Sequence, residues 1–199
     1  MNKQNFNKLM FEEIKTNKER KKLLLHSCCA PCSTACIERL KEYFDLTIFY
    51  YNPNIDTEEE FSLRAKEQQR YCKKENIDCI VCDYDKNAFL ENAKGLEKEL
   101  EGGKRCEKCF YLRLKKTAEK GKELGFDYFA TTLTVSPLKN ATLINKIGKE
   151  LENNFGIKYL VTDFKKDNGY LRSIALSKEN NLYRQNYCGC EFSKIQKES

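Results

Sequence analysis

The chain has 199 residues, 40% of them hydrophobic and 33% charged, with a formal net charge of +6. That is the size of one domain with its own core, and the mild basic excess suits an acidic partner such as RNA without proving one. No stretch has the length of a membrane span and the first residues lack an apolar signal core, so the expectation is a cytoplasmic protein with no membrane partner.

In chain order, Phe6, Leu9, Met10 and Ile14 recur at helical spacing and predict a short amphipathic helix over residues 4–18. Leu23 to His26 reads as a short buried strand, Ser27 to Pro31 as a turn, and Ala35, Ile37, Leu40 and Phe44 as one face of a helix. Leu46 to Tyr51 is a second strand, stopped by Asn52-Pro53-Asn54. A charged helix over 57–75 leads to a third strand, Asp78 to Cys82. Residues 86–101 read as helix up to Gly102-Gly103, and a further helix runs from Cys109 to Leu124, stopped by Gly125. Asp127 to Thr132 is a fourth strand, Leu138 to Asn153 a helix, Lys158 to Val161 a fifth strand, and 169–180 a helix. Leu182 to Ser199 reads as an irregular tail containing cysteines.

Strands alternating with helices predict an α/β fold: an open, mostly parallel sheet with helices on both faces. Sites in such sheets gather at the carboxyl ends of the strands. The whole chain, 1–199, reads as one domain, with 1–22 a helical extension and 182–199 a tail folding back on the site.

The chain has 11 cysteines, an odd number that fits disulfides poorly and, in a reducing compartment, points to metal or redox chemistry. Seven lie in three tight clusters: Cys28-Cys29-x-x-Cys32, Cys106-x-x-Cys109 and Cys188-x-Cys190. Cys28 and Cys29 sit in a strand-to-helix turn, where adjacent side chains can converge and a helix N-terminus favours thiolate. With Cys106 and Cys109 they make four thiolates, the usual complement of a four-iron cluster. A Cys188–Cys190 bridge would be strained and easily reduced, so the pair suits a redox couple; two thiolates equally suit a second metal. Cys36, Cys72, Cys79 and Cys82 read as core residues, Cys79 and Cys82 because residues three apart in a strand face opposite sides.

The remaining polar candidates have plainer alternatives. His26, the only histidine, ends a buried strand and reads as a hydrogen-bonded core group. Asp83 and Asp85 follow the third strand; a metal ligand or proton donor competes evenly with a turn or cap. The hydroxyls from Thr131 to Ser136, with Thr132 and Ser136 foremost, suit phosphate or ribose, against loop capping. Arg105, Arg113 and Arg184, with Lys165, Lys166 and Arg172, are candidate phosphate partners. Tyr50, Tyr51 and Phe110 are packing residues first and stacking or proton-donating residues second.

At LLLHSCCAPC (23–32), YNPNI (51–55), RCEKCFYLR (105–113), FATTLTVSPLKN (129–140) and YRQNYCGCEFS (183–193) the chain closely resembles the QueH-type epoxyqueuosine reductases. The resemblance implies a nucleotide-binding-like α/β fold of the HUP type. It implies reduction of epoxyqueuosine to queuosine at the wobble position of tRNA, without cobalamin but with an external electron donor. It also implies a four-iron cluster held by Cys28, Cys29, Cys106 and Cys109, with Cys188 and Cys190 as a second redox pair. A second, mononuclear iron beside the cluster, held by Cys32, Cys188 and Cys190, is one form of that second centre.

Two rival readings share parts of this pattern. An ATP-using PP-loop enzyme acting on tRNA needs an S-G-G-x-D-S run after strand one. His26 to Cys32 holds no glycine there. A zinc-stabilised RNA-binding module without catalysis would share the thiolates but be colourless.

Overall fold

The computed structural model describes residues 4–185 and 187–198. Its centre is a five-stranded, all-parallel sheet in the order β3-β2-β1-β4-β5. The strands are β1 (Lys21–His26), β2 (Phe44–Tyr50), β3 (Asp78–Val81), β4 (Tyr128–Thr131) and β5 (Lys158–Tyr159). β1 is central, and its last four residues are all buried, as a strand covered on both faces requires. Leu23 and Leu25 point to one face, into a core with Ile37, Leu40, Ile48 and Ala130. Leu24 points to the other, with Phe49 and Tyr51.

The helices are α1 (Phe6–Thr16), α2 (Ala30–Leu40), α3 (Glu58–Glu75), α4 (Lys86–Ala93), α5 (Lys104–Glu123), α6 (Ala141–Phe155), α7 (Gly169–Glu179) and α8 (Glu191–Glu198). α1 and α2 cover one face of the sheet through Met10, Ile14, Ile37 and Leu40. α5 and α6 cover the other through Leu114, Ala118, Ile144 and Leu151. α1 is therefore part of the core layer, with Met10 fully buried. Local signals set the ends: Thr57 caps α3 by accepting from the Glu60 amide, and Asn140 caps α6 by accepting from Leu143.

The structure departs from the sequence expectation in several places: Phe44, read with the helix after the first strand, opens β2, and the fifth strand ends at Tyr159 rather than Val161. The helix expected over 86–101 stops at Ala93. Arg105, 2% exposed, donates from Nη1 to the carbonyls of Leu96, Glu97 and Glu99, so the segment between α4 and α5 folds as turns around a guanidinium. α5 consequently starts at Lys104, and both Cys106 and Cys109 lie in its opening turns. The strand expected to reach Thr132 ends at Thr131 and passes into a 3-10 turn over Thr132–Val135. The tail, expected to be irregular, forms α8. Helical order there needs the Cys190 carbonyl to accept from the Ser193 and Lys194 amides, a contact no periodicity announces.

Candidate metal and redox site

Sheet order reverses between β1 and β4, because β2 and β3 extend to one side of β1 and β4 and β5 to the other. A crevice opens at the carboxyl ends of strands at such a switch point. Both strand ends supply it: Cys28 follows β1, its amide donates to Thr132 Oγ1 at 3.3 Å, and its sulfur lies 3.6 Å from the same hydroxyl. Cys29 precedes α2, and Pro31 occupies that helix's first turn. Cys32 is one turn along.

Cys28, Cys29 and Cys32 bring their sulfurs within 4.8 Å of one another. Cys29 and Cys32 stand 2.9 Å apart, and Cys28 and Cys29 3.9 Å. Hydrogen bonds from Cys29 and Cys32 hold the Cys28 thiol well below its ordinary range, with the charges of Arg113 and Lys139 adding to the effect against burial. The shared proton raises its partners: Cys29 is pushed up to about 12 through its bond to Cys28. Of the three thiols, Cys28 is therefore the one that most readily gives up its proton and takes on negative charge.

Two cations answer that charge, Lys139 half-buried and Arg113 buried. Burial would lower the Lys139 ammonium, but the neighbouring cysteine sulfurs outweigh it and push its pKa up, so the lysine stays protonated. Arg113 is 1% exposed. It donates from Nε to His26 Nε2 at 3.3 Å and from Nη2 to Asn52 Oδ1 at 2.6 Å, with Nη1 4.0 Å from Cys109 Sγ. Asn52 in turn donates to the Ser27 carbonyl, so α5, β1 and the segment after β2 are linked by one network. His26 is lowered to about 3 by burial and by Arg113, and is therefore neutral.

Cys106 accepts from the Gly102 amide at 3.2 Å, and with Cys28 packs against the apolar cluster of α5 and α6. Cys109 is pushed up to about 11, chiefly by burial. Cys190 packs with Cys109, Phe89 and Ala93, while Cys188 lines the crevice with Cys28, Cys29 and Cys32. The tail is strapped down by the Asp56 amide, which donates to the Gly189 carbonyl at 2.9 Å. All seven clustered cysteines are expected at the site, Cys28, Cys29, Cys106 and Cys109 at the cluster and Cys32, Cys188 and Cys190 at a second centre; in the structure Cys32 stands with Cys28 and Cys29 in one tight trio.

The other sequence candidates divide. Ser136 and Arg184 line the crevice, whose volume is about 550 Å³, and Thr132 bonds Cys28 behind it. Arg105 and Arg113 do not face a surface phosphate: both are buried, one organising the loop before α5 and the other the cysteine network. Asp85 is exposed and caps α4 by accepting from the Ala88 amide, the plainer of its two alternatives. Cys79 and Cys82 do pack into different clusters. Sequence reasoning missed Lys139 and Arg64. Arg64, four residues after Glu60, looks like half of a surface ion pair, and only the fold buries it.

The donor set is sulfur throughout, without imidazole or carboxylate in the trio, and lies beside fixed positive charge. That chemistry fits a soft metal or an iron–sulfur group bound as an anionic thiolate centre. No helix among the described residues is long and apolar enough to cross a membrane.

Comparison with known proteins gives a consistent result. A family model described as "Epoxyqueuosine reductase QueH" matches residues 23–196. The epoxyqueuosine reductase QueH of Staphylococcus epidermidis is 45% identical over 185 residues, covering 89% of this chain and 78% of the relative. That of Streptococcus pyogenes serotype M1 is 44% identical, covering 87% and 71%. That of Thermotoga maritima is 35% identical, covering 88% and 91%. Among solved structures, the U34-tRNA thiolase NcsA from Methanococcus maripaludis with its 4Fe-4S cluster aligns at a TM-score of 0.57 and 16% identity, over 94% of this chain and 68% of that one. A predicted subunit of tRNA methyltransferase from Methanocaldococcus jannaschii aligns at 0.54 and 13%, over 78% and 75%. These two likenesses are of fold alone.

Proposed function

The chain belongs to the epoxyqueuosine reductase QueH family, and from that premise we propose that it reduces epoxyqueuosine to queuosine in tRNA. The observation that carries the reading is the trio Cys28, Cys29 and Cys32 at the sheet's switch point, held beside Arg113 and Lys139. Removing an epoxide oxygen to leave an alkene takes two electrons and two protons and releases water. A four-iron cluster, with a second iron beside it, would deliver those electrons one at a time from an external donor.

In this reading Cys28, Cys29, Cys106 and Cys109 hold the cluster, and Cys32, Cys188 and Cys190 serve the second centre. Arg113 and Lys139 would offset the negative charge that builds up as metal binding displaces the thiol protons. His26 stays neutral and fixes Arg113, so the cation is held in place before any metal binds. The crevice admits a base turned out of the anticodon loop, which single-stranded RNA permits readily. Ser136 and Arg184 at its rim, and Thr132 behind it, suit ribose and phosphate. Acting on tRNA, the protein works in the cytoplasm.

The test is direct. Protein purified anaerobically and supplied with iron, sulfide and a chemical reductant is incubated with tRNA carrying epoxyqueuosine. Mass spectrometry of the digested tRNA then reports queuosine; its absence, with iron bound, defeats the reading.

A further inference from the structure

Arg64 on α3 is 3% exposed, yet its guanidinium is not fully used. Nε donates to Glu60 Oε1 at 2.6 Å. Nη1 is crowded by the tail: a Cβ on Gly189 would fall 2.9 Å from it, and the φ of +111° there also demands glycine. The Tyr187 ring lies over the guanidinium, its centroid 5.2 Å from Cζ. Nη2 is buried without a hydrogen-bond partner. Arg64 lines the same crevice as Cys29 and Cys188. A buried charged donor left unpaired is costly, and groups of this kind call for an explanation. An acceptor supplied by a ligand in the crevice provides one.

We propose that Arg64 binds the substrate oxygen on which negative charge develops as the epoxide C–O bond opens. This rests on the reductase reading above. Over the whole step the epoxide takes up two electrons from a one-electron reductant acting twice; both C–O bonds break and a C=C bond forms. Two protons convert the departing oxygen to water. Arg64 gives up no proton: it offers a fixed positive charge and one N–H to the oxygen until protonation. Its place is pre-set, since Glu60 bonds Nε and the tail packs over the guanidinium at Gly189 and Tyr187. Such preorganised donors act on the transition state and cost no rearrangement when charge appears.

The test compares Arg64→Met and Arg64→Gln with wild type, each purified anaerobically with iron and sulfide. Iron content, visible absorbance and tRNA affinity are measured beside single-turnover conversion. The expectation is iron content and tRNA affinity near wild type, with conversion slowed roughly 10²- to 10³-fold in the Met variant. Arg64→Gln, which retains an N–H donor, should recover part of the rate. Unchanged conversion in a folded, iron-loaded variant overturns the proposal. So does loss of iron in step with loss of conversion in both variants, because Arg64 would then only support the tail and the metal. If Arg64→Met fails to fold, Arg64→Gln decides alone: wild-type conversion overturns and slowed conversion with iron retained supports. Wild type producing no queuosine would instead sink the reductase reading, so the two failures are separable.

Discussion

Arg113 Nε donates to His26 Nε2 across 3.3 Å and so ties the helix carrying Cys106 and Cys109 to the last residue of the strand that leads into Cys28. Because His26 is lowered to about 3, its ring is neutral and accepts that bond. Replacing Arg113 with Met should leave Asn52 Oδ1 without its donor in a dry interior, at about 1–3 kcal/mol, while His26 Nε2 keeps the Tyr51 carbonyl at 3.2 Å. It should also strip the trio of one cation. Urea denaturation should show lower stability, and iron analysis weaker retention. A variant as stable and as iron-rich as wild type would show that the network is ornamental.

Cys106→Ser and Cys109→Ser test the ligand set. Each should lose the visible absorbance of the cluster while circular dichroism remains that of a folded α/β protein. Full iron and sulfide in both variants would exclude Cys106 and Cys109 as ligands.

The Cys188→Ser, Cys190→Ser double variant should keep cluster absorbance and tRNA binding but make no queuosine. Normal product would make the tail cysteines dispensable. Loss of the cluster would move one of them, most naturally Cys190 beside Cys109, into the primary ligand set.

Affinity for tRNA should fall as salt rises, with a log–log slope of roughly −0.7 for each single-strand phosphate contacted. Arg184→Ala at the crevice rim should reduce that slope by about one contact. Binding that ignores salt, or equal turnover of the free nucleoside, contradicts the proposed tRNA surface.

α7 is pinned to α2 by a two-pronged ion pair, Arg172 Nη2 to Glu38 Oε1 at 2.7 Å and Nε to Oε2 at 3.0 Å. The hydrogen bond from Arg172 holds the Glu38 carboxyl below its usual range. A carboxyl lowered by folding stabilises above its unfolded pKa, and that stability is lost as pH falls through the folded value. Glu38→Gln should therefore be slightly less stable than wild type at pH 7, and the gap should close in the acid range and in high salt. The effect is small because both side chains are close to half exposed and screened. A gap that widens in acid would refute the assignment.

Gly148 on α6 tests packing apart from the site. A Cβ there would fall 2.3 Å from the Tyr159 ring of β5. Gly148→Ala gains helix propensity but must displace a buried ring, so a net loss of about 1–3 kcal/mol is expected on thermal unfolding.

Periodicity and punctuation in the chain determined the alternation of strands and helices, and hence the sheet with its site at the strand ends. Thr57, Asn140, Pro31 and Gly125 act through bonds and dihedrals a few residues away, so their consequences are readable locally. The spacing of the thiols likewise announced a sulfur-based site. What only the tertiary structure decided is which groups share that site and with what charge. Cys32 joins Cys28 and Cys29 because α2 begins at once after the turn. Arg105 and Arg113, exposed by every sequence criterion, are buried because carbonyls and side chains from other segments satisfy them. Arg64 and Lys139 reach the crevice only when α3, the segment after β4 and the tail converge. Burial and electrostatics depend on neighbours distant in sequence, and no local pattern encodes them.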